Sequence, residues 1–310
     1  KSKHFVESVK KIIMFLTIFT PTYNRAYILP NLYESLVNQT SKDFEWVIVD
    51  DGSTDETESI VKKWIAESRI CIKYIKQENQ GKHIAINTGT EHADGELFFI
   101  VDSDDSLKNH AVSTISEFWM SNNDHDVSGI IGYREFTDGS LVGSKLPPYV
   151  KKCKLRDCRR LGSEGDKVVI YRTDIFKRYK YPKFGNERFL GESYVFNQID
   201  DHYDMLVMNE RIYLFAYQPD GLSQDFRALY KNNPLGFRAF YEQSIKYSDS
   251  VADRIKILTH LWCLGIATKD YSCSVKSILG FLTLPVGIAL YLKIFVLKIS
   301  DVKPYEQSKE

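Results

Sequence analysis

Four times between Phe15 and Asn122 an apolar run breaks into a polar loop, and the loop leads into a segment with helical spacing. The runs are Phe15–Phe19, Trp46–Val49, CIKYIKQEN and GELFFIVDSDD. Two of the helical segments are AYILPNLYESLVNQ, with Ile28, Leu32, Leu36 and Val37 on one face, and ETESIVKKWIAES, with Ile60, Val61, Trp64 and Ile65. This alternation predicts a parallel sheet with helices on its faces. Right-handed crossovers then bring the C-terminal strand ends to one edge, where ligands bind in open α/β sheets. The loops at that edge are TPTYNR, DDGSTD, ENQGKH and DSDD; all are polar and two are acidic.

Composition sets the limits around that pattern. The chain has 310 residues, enough for one large α/β domain and an appendage. It is 43% hydrophobic and 26% charged, so it can bury a core. The 41 basic and 41 acidic residues cancel, which leaves no electrostatic argument for nucleic acid. The five cysteines, Cys71, Cys153, Cys158, Cys263 and Cys273, form no C-x-x-C pair, so a zinc site is not expected and a reducing compartment is. The opening KSKHFVESVKK lacks the apolar core and cleavage site of a secretory signal. Residues 1–13 read as an N-terminal extension ahead of the first strand.

The second half is less regular. SGIIGYREFTDGSLVG reads as a hairpin turning at Asp138-Gly139, and KVVIYRTDIFKRY as a strand running into a short helix. ESYVFNQIDDHY reads as a helix, and LGFRAFYEQSIKYS and VADRIKILTHLWCLGIA as amphipathic helices. Ser277–Leu292 carries no charge, with Lys293 and Lys298 following. A membrane-spanning helix needs about 20 apolar residues, and Pro285 would kink this one. Segment 277–299 is expected to be an interfacial or re-entrant membrane helix, with a spanning helix and a buried packing helix as alternatives. The basic run Lys151–Arg160 reads as a solvated face or a contact for anionic lipid or diphosphate.

The carboxylates carry the chemistry. Asp50 and Asp51 end the second strand, where such groups accept hydrogen bonds from a base or a ribose; an Asx turn or helix cap is the plainer alternative. Asp102 and Asp104, two apart on extended backbone, point the same way and suit a hard divalent cation that keeps waters and substrate phosphates in its shell. The plainer alternative there is a solvated turn. Asp105 is a third carboxylate that supports the metal site or caps the next helix.

TIFTPTYNR, VIVDDGSTD, NQGKHIAINTG and VDSDD resemble the successive motifs of the family-2 glycosyltransferases of the GT-A fold. FGNERFLGESYVFNQI, followed by LFAYQPDGLS, is similar to the acceptor-side segment of a bacterial subgroup that builds capsules and exopolysaccharides. The resemblance covers residues 15 to 225. It implies a nucleotide-diphospho-sugar transferase fold, with a mostly parallel Rossmann-like central sheet flanked by helices and a helical C-terminal extension. Residues 14–225 would be the catalytic domain, 14–125 its nucleotide-sugar-binding half and 126–225 its acceptor half. Residues 226–310 would be the helical C-terminal region.

The resemblance also assigns roles. Thr20, Pro21, Tyr23 and Arg25 would line the base and ribose pocket. Asp51 would bind the base, uracil for preference, with Asp50 bracing its loop. Asp102 and Ser103 would meet the ribose or metal-bound water, and Asp104, with Asp102, would hold Mn2+ or Mg2+ against the diphosphate. Where the family carries an Arg in ARNxG this chain has Ile86, and Lys82 and His83 would supply the missing charge. The base would come from a Glu-Asp pair that opens a helix. Here that pair reads Glu192-Ser193, which makes Glu192 the base, with Glu187 as runner-up. Asp220–Ser223 would close over donor or acceptor, unless it is a plain turn.

The implied reaction is inverting transfer of a sugar from a UDP-sugar to a hydroxyl of a glycan or lipid-linked saccharide. It would take place in the cytoplasm, at the inner face of a bacterial membrane. The competing readings are a non-catalytic nucleotide-sugar-binding module and a phosphohydrolase with an aspartyl nucleophile. The hydrolase reading leaves DDGSTD without a use, and its nucleophile would sit on the first strand rather than the fourth.

Overall fold

The computed structural model describes residues 14–122, 124, 126–216, 225–272 and 278–297. They fall into two compact units that interleave along the chain. The first holds 14–76, 88–179 and 199–216; the second holds 77–87, 180–198 and the described residues beyond 224.

The first unit contains a nine-stranded mixed sheet. β1 (Leu16–Thr22), β2 (Phe44–Asp50), β3 (Cys71–Lys76) and β4 (Leu97–Ile100) are mutually parallel, in the order β3-β2-β1-β4. β5 is Ser106–Leu107, β6 Val127–Phe136, β7 Lys152–Cys153, β8 Lys167–Arg172 and β9 Asp204–Phe215. Beyond β4 the order is β8-β6-β9-β5, with β8 antiparallel to both neighbours and β9 parallel to β6. The helices are α1 (Leu29–Val37), α2 (Thr57–Glu67), α3 (Lys82–His92), α4 (Ala111–Asn122) and α5 (Thr173–Phe176).

Every residue of β1 and β2 is buried, as expected of parallel strands covered on both faces. Leu29, Leu32 and Leu36 of α1, with Val61 and Trp64 of α2, lie in the core over Ile18, Trp46 and Ile48. Tyr33, Trp46 and Trp64 stack there, Tyr33 to Trp64 at 4.3 Å between centroids. α3 approaches β1 closely because Gly89 has no side chain: a Cβ there would lie 2.1 Å from the Phe19 ring.

Two sequence expectations change. β1 does not stop at Phe19 but runs on through Pro21. The β1–β4 ladder ends at Phe19↔Ile100, while β2 continues alongside to Thr22↔Asp50. Pro21 therefore lies past β4, where a missing N–H is tolerated. The hairpin at Asp138-Gly139 turns as expected, with Gly139 N–H donating to the Phe136 carbonyl. Its return arm makes only a single bridge, Glu135↔Leu141, because β8 and β9 take the neighbouring positions.

The second unit is helical, with α6 (Ser193–Asp200) entering from it, then α7 (Phe226–Asn232), α8 (Pro234–Ser244), α9 (Val251–Thr268) and α10 (Ile278–Tyr291). Tyr230, Phe237, Cys263 and Leu264 form its core. Tyr241 stacks on His260 at 4.4 Å, and the Tyr230 hydroxyl lies 3.0 Å from His260 Nδ1. α10 continues as a π-turn, Leu292–Val296. Ile278–Val296 is long and apolar enough to cross a membrane, with mean hydropathy 2.0, and only 17% of it is buried.

Candidate active site

The loops after β1 and β2 are tied into one surface. Asp51 N–H donates to the Thr22 carbonyl at 2.8 Å. Asn24 N–H donates to Ser53 Oγ at 2.8 Å, Thr54 N–H to Asn24 Oδ1 at 2.8 Å, and Ala26 N–H to Asp55 Oδ2 at 3.0 Å. Asn24 sits at φ 53, a left-handed conformation that a short polar residue tolerates. Asp50 is fully buried; its Oδ1 accepts from Ser53 N–H at 2.7 Å and its Oδ2 from the Tyr74 hydroxyl at 2.5 Å. Both its oxygens hold the loop, so Asp50 sets where Asp51 stands. Tyr23 and Tyr27 are exposed, and Arg25 Nη1 donates to the Tyr27 hydroxyl at 2.7 Å. Thr20 departs from expectation. It is buried, and its hydroxyl accepts from Trp46 Nε1–H at 2.9 Å, which commits the side chain to the core rather than to a pocket.

The acidic loop after β4 divides its three carboxylates. Asp102 and Asp104 are half-buried, while Asp105 and Ser103 are buried. Asp105 Oδ2 accepts from the Tyr213 hydroxyl at 2.6 Å and its Oδ1 from Ala216 N–H at 3.1 Å. The Tyr213 oxygen in turn accepts from Asp102 N–H at 3.1 Å. One phenol on β9 thus pins both ends of Asp102–Asp105. Burial pushes Asp105 up to about 6; the Tyr213 hydrogen bond opposes the rise, and the charges of Asp102 and Asp104 add to it. The Arg134 guanidinium lies 4.5 Å from the Tyr213 ring centre, and its Nε has no hydrogen-bond partner among the described residues. Burial works against that cation, and the negative charges of Asp102 and Asp105 favour it.

Among the described residues no three His, Cys, Asp or Glu side chains are grouped to hold a metal by themselves. The donor set here is two carboxylates, with Asp105 committed to protein donors. That set fits Mg2+ or Mn2+, which complete their shells with water and substrate phosphate. A cavity of about 420 Å³ opens at Glu96, Trp119 and Arg172, at the start of β4 rather than beside the acidic loop that follows it.

The second unit carries Lys82, Glu187 and Glu192. Lys82 Nζ lies 2.6 Å from Glu192 Oε1. Glu192 precedes α6, and its carbonyl accepts from the Tyr181 hydroxyl at 2.9 Å. Glu187 is used differently. Its two oxygens accept from Leu235 and Gly236 N–H, at 2.9 and 2.8 Å, at the start of α8. It is a helix-capping carboxylate with no oxygen left over. His83 is corrected as well: it is buried, and burial pushes its imidazole down to about 4, so it supplies no positive charge at neutral pH. Ile86 is fully buried.

A fork fixes this region. Asn87 Nδ2 donates to the Tyr181 carbonyl at 2.8 Å, and Tyr181 N–H donates to Asn87 Oδ1 at 2.9 Å. Gly81, at φ +92, lies where a Cβ would be 2.0 Å from the Arg188 carbonyl oxygen. Asp220–Ser223, Cys273 and residues 1–13 lie outside the described residues. The four described cysteines are unpaired thiols.

Sequence reading missed Tyr213, Arg134 and Tyr181. Tyr213 meets Asp105 across 108 positions of chain, and Tyr181 meets Asn87 across 94. No local pattern announces either pairing.

Several known proteins are similar to this chain. An uncharacterised glycosyltransferase of Nostoc sp. is 35% identical over 127 residues, which is 41% of this chain and 38% of that protein. The GalNAc(5)-diNAcBac-PP-undecaprenol beta-1,3-glucosyltransferase of Campylobacter jejuni is 36% identical over 104 residues, 33% of each protein. The match therefore spans little more than a third of these relatives' own length. Among solved structures, Staphylococcus aureus TarS 1–349 in complex with UDP-GlcNAc superposes with a TM-score of 0.56 at 18% identity, over 91% of this chain and 90% of that one. That likeness shows the fold, the GT-A arrangement of a mixed central sheet flanked by helices. Residues 17–180, more than half of the chain, match the family model for glycosyl transferase family 2, and the chain belongs to that family.

Proposed function

We propose that this chain transfers a sugar from a nucleoside-diphosphate sugar, UDP-linked for preference, to a hydroxyl of a glycan or lipid-linked saccharide, with inversion at the anomeric carbon. The observation that carries the reading is the division among the strand-end carboxylates. Asp50 and Asp105 are buried and hydrogen-bonded within the protein, while Asp102 and Asp104 remain half-buried on the loop that Asp105 supports. A plain solvated turn would not build a Tyr–Asp network beneath it. The UDP-GlcNAc complex of TarS and the lipid-diphosphate saccharide named for the Campylobacter relative support the donor and acceptor classes.

In this mechanism Asp51, held by Asp50 and the Thr22 carbonyl, accepts hydrogen bonds from the base. Pro21 lies near the end of β1, and Tyr23 and Arg25 stand on the loop that follows it. Asp102, with Ser103 behind it, meets the ribose. Asp104 and Asp102 would hold Mn2+ or Mg2+, which when bound supplies positive charge to the departing diphosphate. Glu192 takes the proton of the acceptor hydroxyl as that oxygen attacks the anomeric carbon. Lys82 pairs with Oε1 of Glu192, whereas both oxygens of Glu187 already accept backbone N–H groups at the start of α8. Attack displaces the diphosphate in one step, so the configuration inverts and no glycosyl-enzyme forms. We assign catalysis to residues 14–225 and place the enzyme at the inner face of a bacterial membrane, where a lipid-linked acceptor would be met.

The test is Glu192→Gln. Transfer should fall by about 10²–10⁴-fold, the usual share of a general base, while UDP affinity by calorimetry stays unchanged. Transfer that survives the substitution would remove Glu192 as the base, and no binding of any nucleotide sugar would end the reading.

A further inference from the structure

A surface helix of a folded protein normally turns its large apolar side chains inward. Over Ile278–Ile288, α10 does the reverse. The side buried against α9 is made of Gly280, Thr283 and Gly287. Trp262 Nε1–H donates to the Gly280 carbonyl at 2.6 Å, and a Cβ on Gly287 would lie 2.3 Å from Trp262 Cβ. Small residues thus bring the two helices into close contact. Large side chains lie on the outside: Ile278 is 82% exposed, Leu282 70% and Phe281 57%, with Val286, Ile288, Leu292 and Val296 exposed too, while Leu290, Tyr291, Ile294 and Phe295 turn inward onto the core around Tyr230 and Phe237. At 3.6 residues per turn the seven exposed residues fall within an arc of about 160°, and the three small residues lie opposite. Continuous apolar surface of this kind marks a contact site.

Charge identifies what it contacts. Residues 226–310 carry 12 Lys and Arg against 7 Asp and Glu, whereas residues 1–225 carry 29 against 34. The neutral total conceals a basic C-terminal region on an acidic remainder. Between Asp270 and Asp301 there is no acidic residue, and the only charges are Lys276, Lys293 and Lys298. An apolar helix face bounded at both ends by lysines is complementary to an anionic lipid surface. A matching copy of this chain would bring cations against cations.

We infer that the outer face of Ile278–Val296 lies in the plane of an anionic bilayer, as a docking surface that holds the protein on the membrane. The helix is not a span. Its small-residue face is fixed to α9 through Trp262, so lipid can reach only the other side. The apolar side chains enter the acyl boundary, and the exposed Lys293 reaches to headgroup level.

The experiment is co-sedimentation of the full chain with vesicles of phosphatidylcholine alone and of an equal mixture with phosphatidylglycerol. Binding should favour the mixed vesicles and weaken as salt rises, since charge attraction over a Debye length contributes to it. F281E/L282E should lower binding to mixed vesicles at least tenfold with melting unchanged, because both side chains are exposed. F281N/L282N, which adds no negative charge, should lower it as well. Equal binding of wild type and the Asn pair would overturn the proposal. So would a wild type that ignores both vesicles while the Glu pair converts a dimer into a monomer in sedimentation velocity. The readout is binding, so it stands whether or not the sugar-transfer reading holds.

Discussion

Tyr213→Phe removes one oxygen and tests how the acidic loop is built. That oxygen donates to the buried carboxylate of Asp105 at 2.6 Å and accepts from Asp102 N–H at 3.1 Å. Phe fills the same volume, so no cavity forms. The loss is one hydrogen bond to a charged acceptor, worth about 1.5–3 kcal/mol, plus an amide left without its partner, worth about 1 kcal/mol. A total of about 3 kcal/mol should lower the melting temperature by roughly 6–12 °C, at about 2–4 °C per kcal/mol for a unit of this size. The loop that holds Asp102 and Asp104 then loses its shape, and residues that orient metal ligands typically contribute about 10–100-fold in affinity. UDP affinity in the presence of Mn2+, by calorimetry, should fall about tenfold. The control is Tyr133→Phe, also on the sheet, whose hydroxyl accepts from Leu146 N–H at 2.9 Å. It should lose stability without losing nucleotide affinity. If Tyr213→Phe behaves like that control, the phenol serves only the fold and its link to the donor site is refuted. If it changes neither quantity, the network itself is wrong.

Three further outcomes are expected. Asp104→Asn should abolish the Mn2+ dependence of UDP binding in a metal titration, and dependence that persists would move the metal elsewhere. Burial lowers His83 from 6.5 to about 4. The unfolded chain therefore takes up a proton between those values while the folded chain does not. Stability present above pH 6.5 is lost as pH falls toward 4, by at most about 3 kcal/mol at about 1.4 kcal/mol per pH unit; His83→Gln should flatten that acid limb in urea titrations, and an unchanged limb would contradict the assignment. Gly81→Ala sets a Cβ 2.0 Å from the Arg188 carbonyl oxygen at φ +92, where no side-chain rotation relieves the clash. It should destabilise by at least about 2 kcal/mol, and a wild-type urea midpoint would refute the close approach.

What the sequence made legible was local. Alternating apolar runs and helical spacings located β1 to β4 and α1 to α4, because each run is set by its own burial. The polar strand-end loops were legible for the same reason. The role of Asp105 stayed open, since its hydrogen bonds come from Tyr213 on a distant strand and Ala216 just past its end. Glu192 was ranked above Glu187 only by the family resemblance. They separate only when Leu235 and Gly236 arrive at the start of α8 to occupy one and Lys82 to orient the other. Thr20 read as a pocket residue because the family resemblance placed it there, but its direction is decided by the Trp46 indole. The membership of residues 77–87 and 180–198 in one unit with the C-terminal helices is likewise a matter of packing.

The phenol beneath the acidic loop also sets an order of events during synthesis. The family match ends at residue 180, and Tyr213 comes 33 positions later. At about 5–20 residues per second, the ribosome emits Tyr213 some 5–20 s after Asp105. Until β9 is laid beside β6, the nascent chain carries every acidic motif, but the Asp102–Asp105 loop lacks the phenol that shapes it. A product truncated just past the matched segment would therefore display the sequence signature of its family without a formed donor site. Trimming such a protein to its recognisable motifs discards the strand that shapes them.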